Sequence, residues 1–339
     1  MYEPVKVGGL AAEIINFFLR ENAKEVDGKR VPRTLTDFLD ECAGDYLEQY
    51  PDLGFEVRRY VQNLLNETIL FSVGFDQSQE LPYNEQFISY RFSEELAAYG
   101  SYEFAAFGFP EVRKRFKDSV LPIIVNEEGK DEANGTCFIV NKSRIVTALH
   151  CLPQNAIISI PNWIPKENPL KNIRTFGEYD EVPPFRHRPK GIDLAVMEFE
   201  KDPFPDAHKF GVWTGEILHD VLCMGFPPMK GFESVLVAGT GEIVGVEHST
   251  THKQPYLIVS TKVKGGNSGG PIVNTLGKVV GVVTNMLTET EDKPDALGYG
   301  LATPAPALFD LLKACNKDSP DLFSVPFVEV EGGIQIRAH

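Results

Sequence analysis

The 339-residue chain has no apolar run long enough to cross a bilayer. Its early apolar stretch at residues 14–19 is too short, and too close to charged residues, to form a membrane span or the core of an export signal. Met1-Tyr2-Glu3-Pro4 offers no basic leader. Cysteine is sparse and odd in number, with five at positions 42, 137, 151, 223 and 315. A secreted scaffold stapled by disulfides usually carries an even count, so free thiols and a cytoplasmic protein are expected. Positive charge is in deficit, with 33 Lys+Arg against 48 Asp+Glu and a net charge of −15. Without a basic stripe the chain has no footprint for nucleic acid, and without a span none for a membrane. No pair among the seven histidines has zinc-ligand spacing, so neither a metal nor another cofactor is expected. There is no internal repeat and no low-complexity tract.

What is present divides the chain by texture. Apolar residues make up 42% of it, enough for a sizeable core, and the length suffices for two domains or one elaborated domain. Residues 1–118 read as helical. Leu35, Phe38, Leu39, Cys42 and Tyr46 fall on one helix face, as do Val57, Tyr60, Val61, Leu64, Leu65 and Thr68. Thr34-x-x-Asp37 is an acidic variant of the helix-start box. Aromatics crowd residues 83–109, where they either pack a small core of their own or face a partner or a cleft.

From residue 119 onward the pattern becomes short β-branched strands punctuated by turns, at 123–125, 137–140, 145–146, 156–160, 194–199, 235–238, 242–246, 257–263 and 279–284. That spacing fits an all-β barrel or sandwich. A helix is expected from Pro304 to Cys315, followed by a tail, residues 317–339, that contains a hairpin around Gly332-Gly333.

The most informative segment is Gly266-Asn267-Ser268-Gly269-Gly270-Pro271. A serine among glycines on a tight turn can present its Oγ while neighbouring backbone N–H groups converge on one point. Such a nucleophile needs a base, and His150 ends the β-branched run Arg144-Ile145-Val146-Thr147-Ala148-Leu149-His150. It also needs an acid to orient that base. Asp193 lies inside the apolar stretch Gly191-Ile192-Asp193-Leu194-Ala195-Val196-Met197, where a carboxylate needs a partner.

The order His, Asp, Ser and these three motifs resemble the trypsin-like (chymotrypsin-fold) serine proteases over roughly residues 119–316. Supporting segments follow in sequence. Gly135-Thr136-Cys137-Phe138-Ile139-Val140 resembles the strand leading toward the histidine. Cys223-Met224-Gly225-Phe226-Pro227 resembles the Gly-Tyr-Pro segment of the bacterial Glu-endopeptidase-like and HtrA-like branches. Gly281-Val282-Val283-Thr284 resembles the strand that pairs with substrate, and Gly298-Tyr299-Gly300-Leu301-Ala302-Thr303-Pro304 the HtrA-like pocket strand.

The resemblance implies two β-barrels, with His150 and Asp193 on the first and Ser268 on the second, preceded by the mainly α-helical region. It further implies that His150 is the general base, Asp193 its orienting acid and Ser268 the nucleophile. The N–H groups of Gly266 and Ser268 would form the oxyanion hole, where losing one donor costs about 3–4 kcal/mol. Lys262, Thr284, Met286 and Leu301 would line the substrate, with Lys262 favouring an acidic side chain at the cleaved position.

Three departures from the wider family carry expectations. Asn267 stands where the digestive enzymes place an aspartate that pairs with a new N-terminal amine, so that activation route is not expected. Cys137 lies two positions from the family's usual disulfide site beside the histidine. The residues after the protease region are too few for the PDZ module of HtrA proteins. The function expected is an endopeptidase acting on proteins or peptides, with a regulatory protein docking on the N-terminal region. The alternative is a catalytically weak scaffold of the same fold.

Overall fold

The computed structural model of the chain describes residues 4, 8–46, 52–79, 81–127, 130–179, 189–232, 234–248, 254–290 and 293–337. They fall into two compact units, Met1–Val112 and Arg113–His339.

In the N-terminal unit, the two periodic stripes form the helices Leu35–Tyr46 and Leu53–Asn66. The helix-start box closes reciprocally. The Thr34 N–H donates to Asp37 Oδ2 at 2.8 Å, and the Asp37 N–H donates to Thr34 Oγ1 at 3.2 Å. The early apolar stretch belongs to a helix, Leu10–Phe17, in which every residue is buried. A helix buried on every side, here with Glu13 and Asn16 as its polar residues, belongs at the centre of a core. Here the rings of Phe17, Phe18 and Phe38 pack against one another beside it.

Short strands, which the sequence reading does not foresee, complete the unit. Lys24–Val26 pairs with Lys29–Val31, and Glu85–Ile88 lies between Arg33–Thr34 and Phe71–Phe75. At two to five residues they are too short to display a two-residue period. Of the crowded aromatics, Phe87 and Tyr102 enter this unit's own core and Phe92 and Phe107 pack against it, while Tyr90 is exposed.

The second unit holds two β-barrel-like sheets, as the trypsin-like fold requires. The first has nine strands in the spatial order Phe323–Ser324, Leu170–Thr175, Ala195–Phe199, Arg144–Thr147, Lys130–Asn141, Val120–Glu127, Ile157–Ser159, Gly333–Ile336 and Phe327–Val330. The second is a closed barrel of Asp220–Gly225, Val237–His248, Pro255–Val259, Lys293–Pro304, Val279–Thr290 and Pro271–Val273. Each encloses an apolar core, around Ile139, Ile145 and Met197 in the first and around Ile243, Val259 and Val283 in the second.

One difference from the sequence reading is instructive. Two separate strands are expected at 235–238 and 242–246, on either side of Gly239-Thr240-Gly241. The chain instead runs straight through as Val237–His248. Gly241 serves close approach: a Cβ there would sit 2.7 Å from the Thr261 nitrogen and 2.8 Å from Ser260 Oγ.

The C-terminal segment returns to the first sheet. After the helix Ala305–Lys317, Phe323–Ser324 pairs with Leu170–Thr175, and Gly333–Ile336 pairs with Ile157–Ser159. Val325, Ile334 and Ile336 lie in the first sheet's core. Arg144, held by Glu198 at 2.9 Å, also donates to Asn316 on the helix, and Arg174 bonds Asp318 and Ser324.

Because Ile334 is fully buried there, Ile334→Ala should lower stability by about 2–5 kcal/mol. Urea unfolding of the two proteins measures this, and a loss below about 0.5 kcal/mol, typical of surface changes, would show that the strand adds nothing to the core.

Candidate active site

His150 and Asp193 meet because of strand register. Arg144–Thr147 and Ala195–Phe199 are antiparallel neighbours, with Thr147 opposite Ala195. Continuing three residues past Thr147 and two residues before Ala195 brings positions 150 and 193 to the same end of the pair. His150 sits on a single 3₁₀ turn, Leu149–Cys151. Asp193 holds it twice. One carboxylate oxygen accepts from the His150 backbone N–H at 3.1 Å, and the other lies 2.7 Å from Nδ1. With Asp193 accepting there, Nδ1 carries the proton and Nε2 keeps its lone pair.

Asp193 is buried and the imidazole is partly exposed. Burial opposes a charged ring. The Asp193 carboxylate beside it, together with the hydrogen bonds the ring makes to Asp193 and to the Cys151 sulfur, outweighs that effect and holds the His150 pKa well above its ordinary value.

Ser268 lies on the loop between Pro255–Val259 and Pro271–Val273. The Gly269 N–H donates to Val283 O at 2.7 Å and the Val283 N–H to Gly270 O at 2.9 Å, so the loop is fastened to the neighbouring strand. The N–H groups of Asn267 and Gly270 are also used within the loop. Among the described residues, the N–H groups of Gly266 and Ser268 have no acceptor. Gly266 has φ +85°, and a Cβ there would collide with Phe226 O and lie 2.8 Å from Pro228 Cδ, so no other residue fits. The Ser268 hydroxyl donates to Thr284 O at 3.2 Å and is not bonded to His150 in this arrangement.

Asn267 is buried, and its Oδ1 has no partner among the described residues. A neutral amide tolerates such a place far better than a carboxylate would.

Lys262 is exposed, whereas the next residue, Val263, enters the second core. Thr284 is buried and donates to Leu301 O at 3.3 Å. Met286 pairs across the sheet with Gly300, and its side chain lies outside the described residues. Of the histidines read as surface residues, His208, His219 and His248 are exposed, and His187, His252 and His339 lie outside the described residues.

Two contributors escaped the sequence reading. Thr136 places its hydroxyl on Gly266 O at 2.7 Å and its N–H on Ser268 O at 2.8 Å. The Cys151 thiol donates to Ser268 O at 3.4 Å. The available signal was slight, a hydroxyl residue, Thr136, preceding the apolar run Cys137-Phe138-Ile139-Val140.

Residues 135–282 match the model of the trypsin-like peptidase domain. Over that span the chain is similar to a trypsin-like peptidase domain. All three residues of the His, Asp, Ser order fall inside the matched span. Relatives of this domain are HtrA-like proteases. A probable periplasmic serine endoprotease, DegP-like, from Marinomonas sp. (strain MWYL1) is 30% identical over 137 residues, covering 38% of this chain and 27% of the relative. Serine protease HTRA3 of Homo sapiens is 32% identical over 229 residues, covering 58% of this chain and 48% of the relative. The chain therefore spans half or less of the length of these relatives. Among solved structures, the serine endoprotease from Yersinia pestis aligns with a TM-score of 0.41 at 20% identity, covering 62% of this chain and 66% of that one.

The relatives correct one expectation. The DegP-like proteins of Marinomonas sp. and Hahella chejuensis are named periplasmic, which overturns the cytoplasmic reading. All five thiols of the trypsin-like chain are free, and four are buried. Burial protects a thiol whatever the compartment, so thiol count was a poor guide to location. No described helix is long and apolar enough to cross a membrane, and no metal-binding group of His, Cys, Asp and Glu occurs among the described residues.

The His150 ring should titrate with a midpoint above 6.5, the ordinary value. Asp193→Asn removes a charge that favours imidazolium while leaving burial in place, so the midpoint should fall. NMR of the imidazole against pH measures both, and an unchanged midpoint in the variant would refute the electrostatic account.

Proposed function

We propose that the chain is a serine endopeptidase that hydrolyses peptide bonds of protein or peptide substrates through Ser268, His150 and Asp193. The observation that carries this reading is the doubly held His150–Asp193 pair, in the same domain as a serine loop with two unused backbone donors.

In this reading a rotation about the Ser268 side chain exchanges its bond to Thr284 O for one to His150 Nε2. Nε2 takes the hydroxyl proton as Oγ attacks the scissile carbonyl. The N–H groups of Gly266 and Ser268 receive the oxyanion, and Asp193 stabilises the imidazolium. The imidazolium then gives its proton to the leaving amine, producing an acyl-enzyme. Water, deprotonated by the same nitrogen, releases the acid and restores Ser268. Extended substrate would lie along the strand after the nucleophile, past Thr284 and Met286 and near Leu301, with Lys262 as the source of any acidic preference.

The N-terminal unit is assigned to recognising a regulatory protein or gating activity. It is a folded unit with its own core, which suits a separate recognition role.

Fluorophosphonate should label the wild type and not Ser268→Ala. No labelling of folded wild type would leave the scaffold alternative. Asp193→Asn should lower kcat by about 10⁴-fold.

The base must be neutral, and its pKa is raised, so kcat/KM should climb with pH through a midpoint above 6.5 and be lost below it. A profile flat from pH 6 to 9 would count against His150 as the base. Removing residues 1–107 should alter turnover, and unchanged turnover in a folded product would end the gating assignment. A peptide-library digest in which Lys262→Ala keeps the same profile would end the acidic preference.

A further inference from the structure

The group that organises the serine loop belongs to the other sheet. Thr136 is wholly buried in the strand Lys130–Asn141. Its hydroxyl donates to Gly266 O at 2.7 Å and accepts from the Phe226 N–H at 3.0 Å. Its own N–H donates to Ser268 O at 2.8 Å, and its carbonyl accepts from Thr147 Oγ1 at 2.7 Å. Every polar group of this residue is used, and three of the four bonds reach segments that adjoin the candidate oxyanion hole.

We infer that Thr136 is a positioning residue, whose hydroxyl sets the direction of the Gly266 and Ser268 N–H groups. The inference rests on the serine-endopeptidase reading of the site.

The argument is one of degrees of freedom. Gly266, at φ +85°, has no side chain to restrict its peptide planes. Anchoring its carbonyl fixes ψ at that residue. Anchoring the Ser268 carbonyl fixes the chain on the far side of Asn267. Of the two unused N–H groups, that of Ser268 lies within this doubly anchored stretch and that of Gly266 immediately precedes it. The same hydroxyl holds the Phe226 N–H, and Phe226 O, Pro227 and Pro228 are the groups that crowd the Cβ-less face of Gly266. One oxygen thus ties the loop to the segment it packs against.

A hydrogen bond of this kind adds little net stability on average, but removing the hydroxyl strands two buried groups, Gly266 O and the Phe226 N–H. A loop of glycines would relieve that by rotating peptides. Such rotation would redirect the donors without disturbing His150 or Asp193.

The test uses the full chain with Thr136→Val, which keeps shape and removes the hydroxyl, and Thr136→Ser, which keeps the hydroxyl. Measured are the fluorophosphonate labelling rate, kcat and KM on a peptide substrate, and the His150 titration midpoint.

T136V should lose about 10²–10³-fold in kcat and in labelling rate, the scale of one misplaced oxyanion donor. Its KM and the His150 midpoint should stay unchanged, and T136S should recover most of the loss. A folded T136V with wild-type kcat overturns the assignment. So does a folded T136S as slow as T136V, because a retained hydroxyl would then not be enough to direct the donors.

If T136V does not fold, Thr136→Cys replaces it, being similar in size with a weaker donor. A kcat deficit in T136C that T136S lacks supports the assignment, and wild-type kcat in T136C overturns it. Absence of labelling in the wild type overturns the protease reading and this inference with it. Equal labelling in wild type and T136V overturns only the inference.

Discussion

Three hydrogen bonds reach across from the first sheet to the two carbonyls that flank Asn267, and the geometry of the candidate site depends on them. The Thr136 hydroxyl takes Gly266 O, while the Thr136 N–H and the Cys151 thiol take Ser268 O. Two sheets with separate cores have no intrinsic reason to hold a fixed relation at the ångström scale. Buried carbonyls supply one, because each must find a donor. The donors come from Thr136, on the strand paired with the one that leads into the histidine turn, and from the residue after the histidine. The bonds that position the nucleophile are thereby referenced to the base it must meet.

The base has its own support. Asp193 reaches both the backbone and the ring of His150, so the acid fixes the turn as well as the tautomer. The strand register that brings them together is maintained by side chains such as Ile145, Val146, Val196 and Met197, all fully buried. Placing a carboxylate at the end of such a pair is tolerable only because two donors await it. Electrostatics and packing therefore select the same arrangement.

Much of this was legible in the sequence. Glycines around a serine, a histidine ending a β-branched run and an aspartate inside an apolar stretch are local signals, and each reports a local constraint. Helices with a clear period, such as Leu35–Tyr46, were legible for the same reason. What escaped was set by distant partners. Thr136 looks like any strand residue until Gly266 is beside it, 130 positions away. Gly241 looks like a break between two strands until the Ser260-Thr261 segment is seen to press on it. The helix Leu10–Phe17 has no solvent-facing side to reveal its period, because even its polar residues Glu13 and Asn16 are buried. Strands of two to five residues owe their form to pairing rather than to pattern.

The return of the C-terminal segment to the first sheet bears on how the molecule is made. A chain synthesised from its N-terminus presents the strands around His150 and Asp193 early. The neighbour that Ile157–Ser159 requires, Gly333–Ile336, arrives only after the whole second barrel and the helix Ala305–Lys317. The sheet that carries the base is therefore the first to begin and the last to be completed. Its full strand set exists only once translation has passed residue 336, so the sheet that carries the base is completed only after the second barrel has been made.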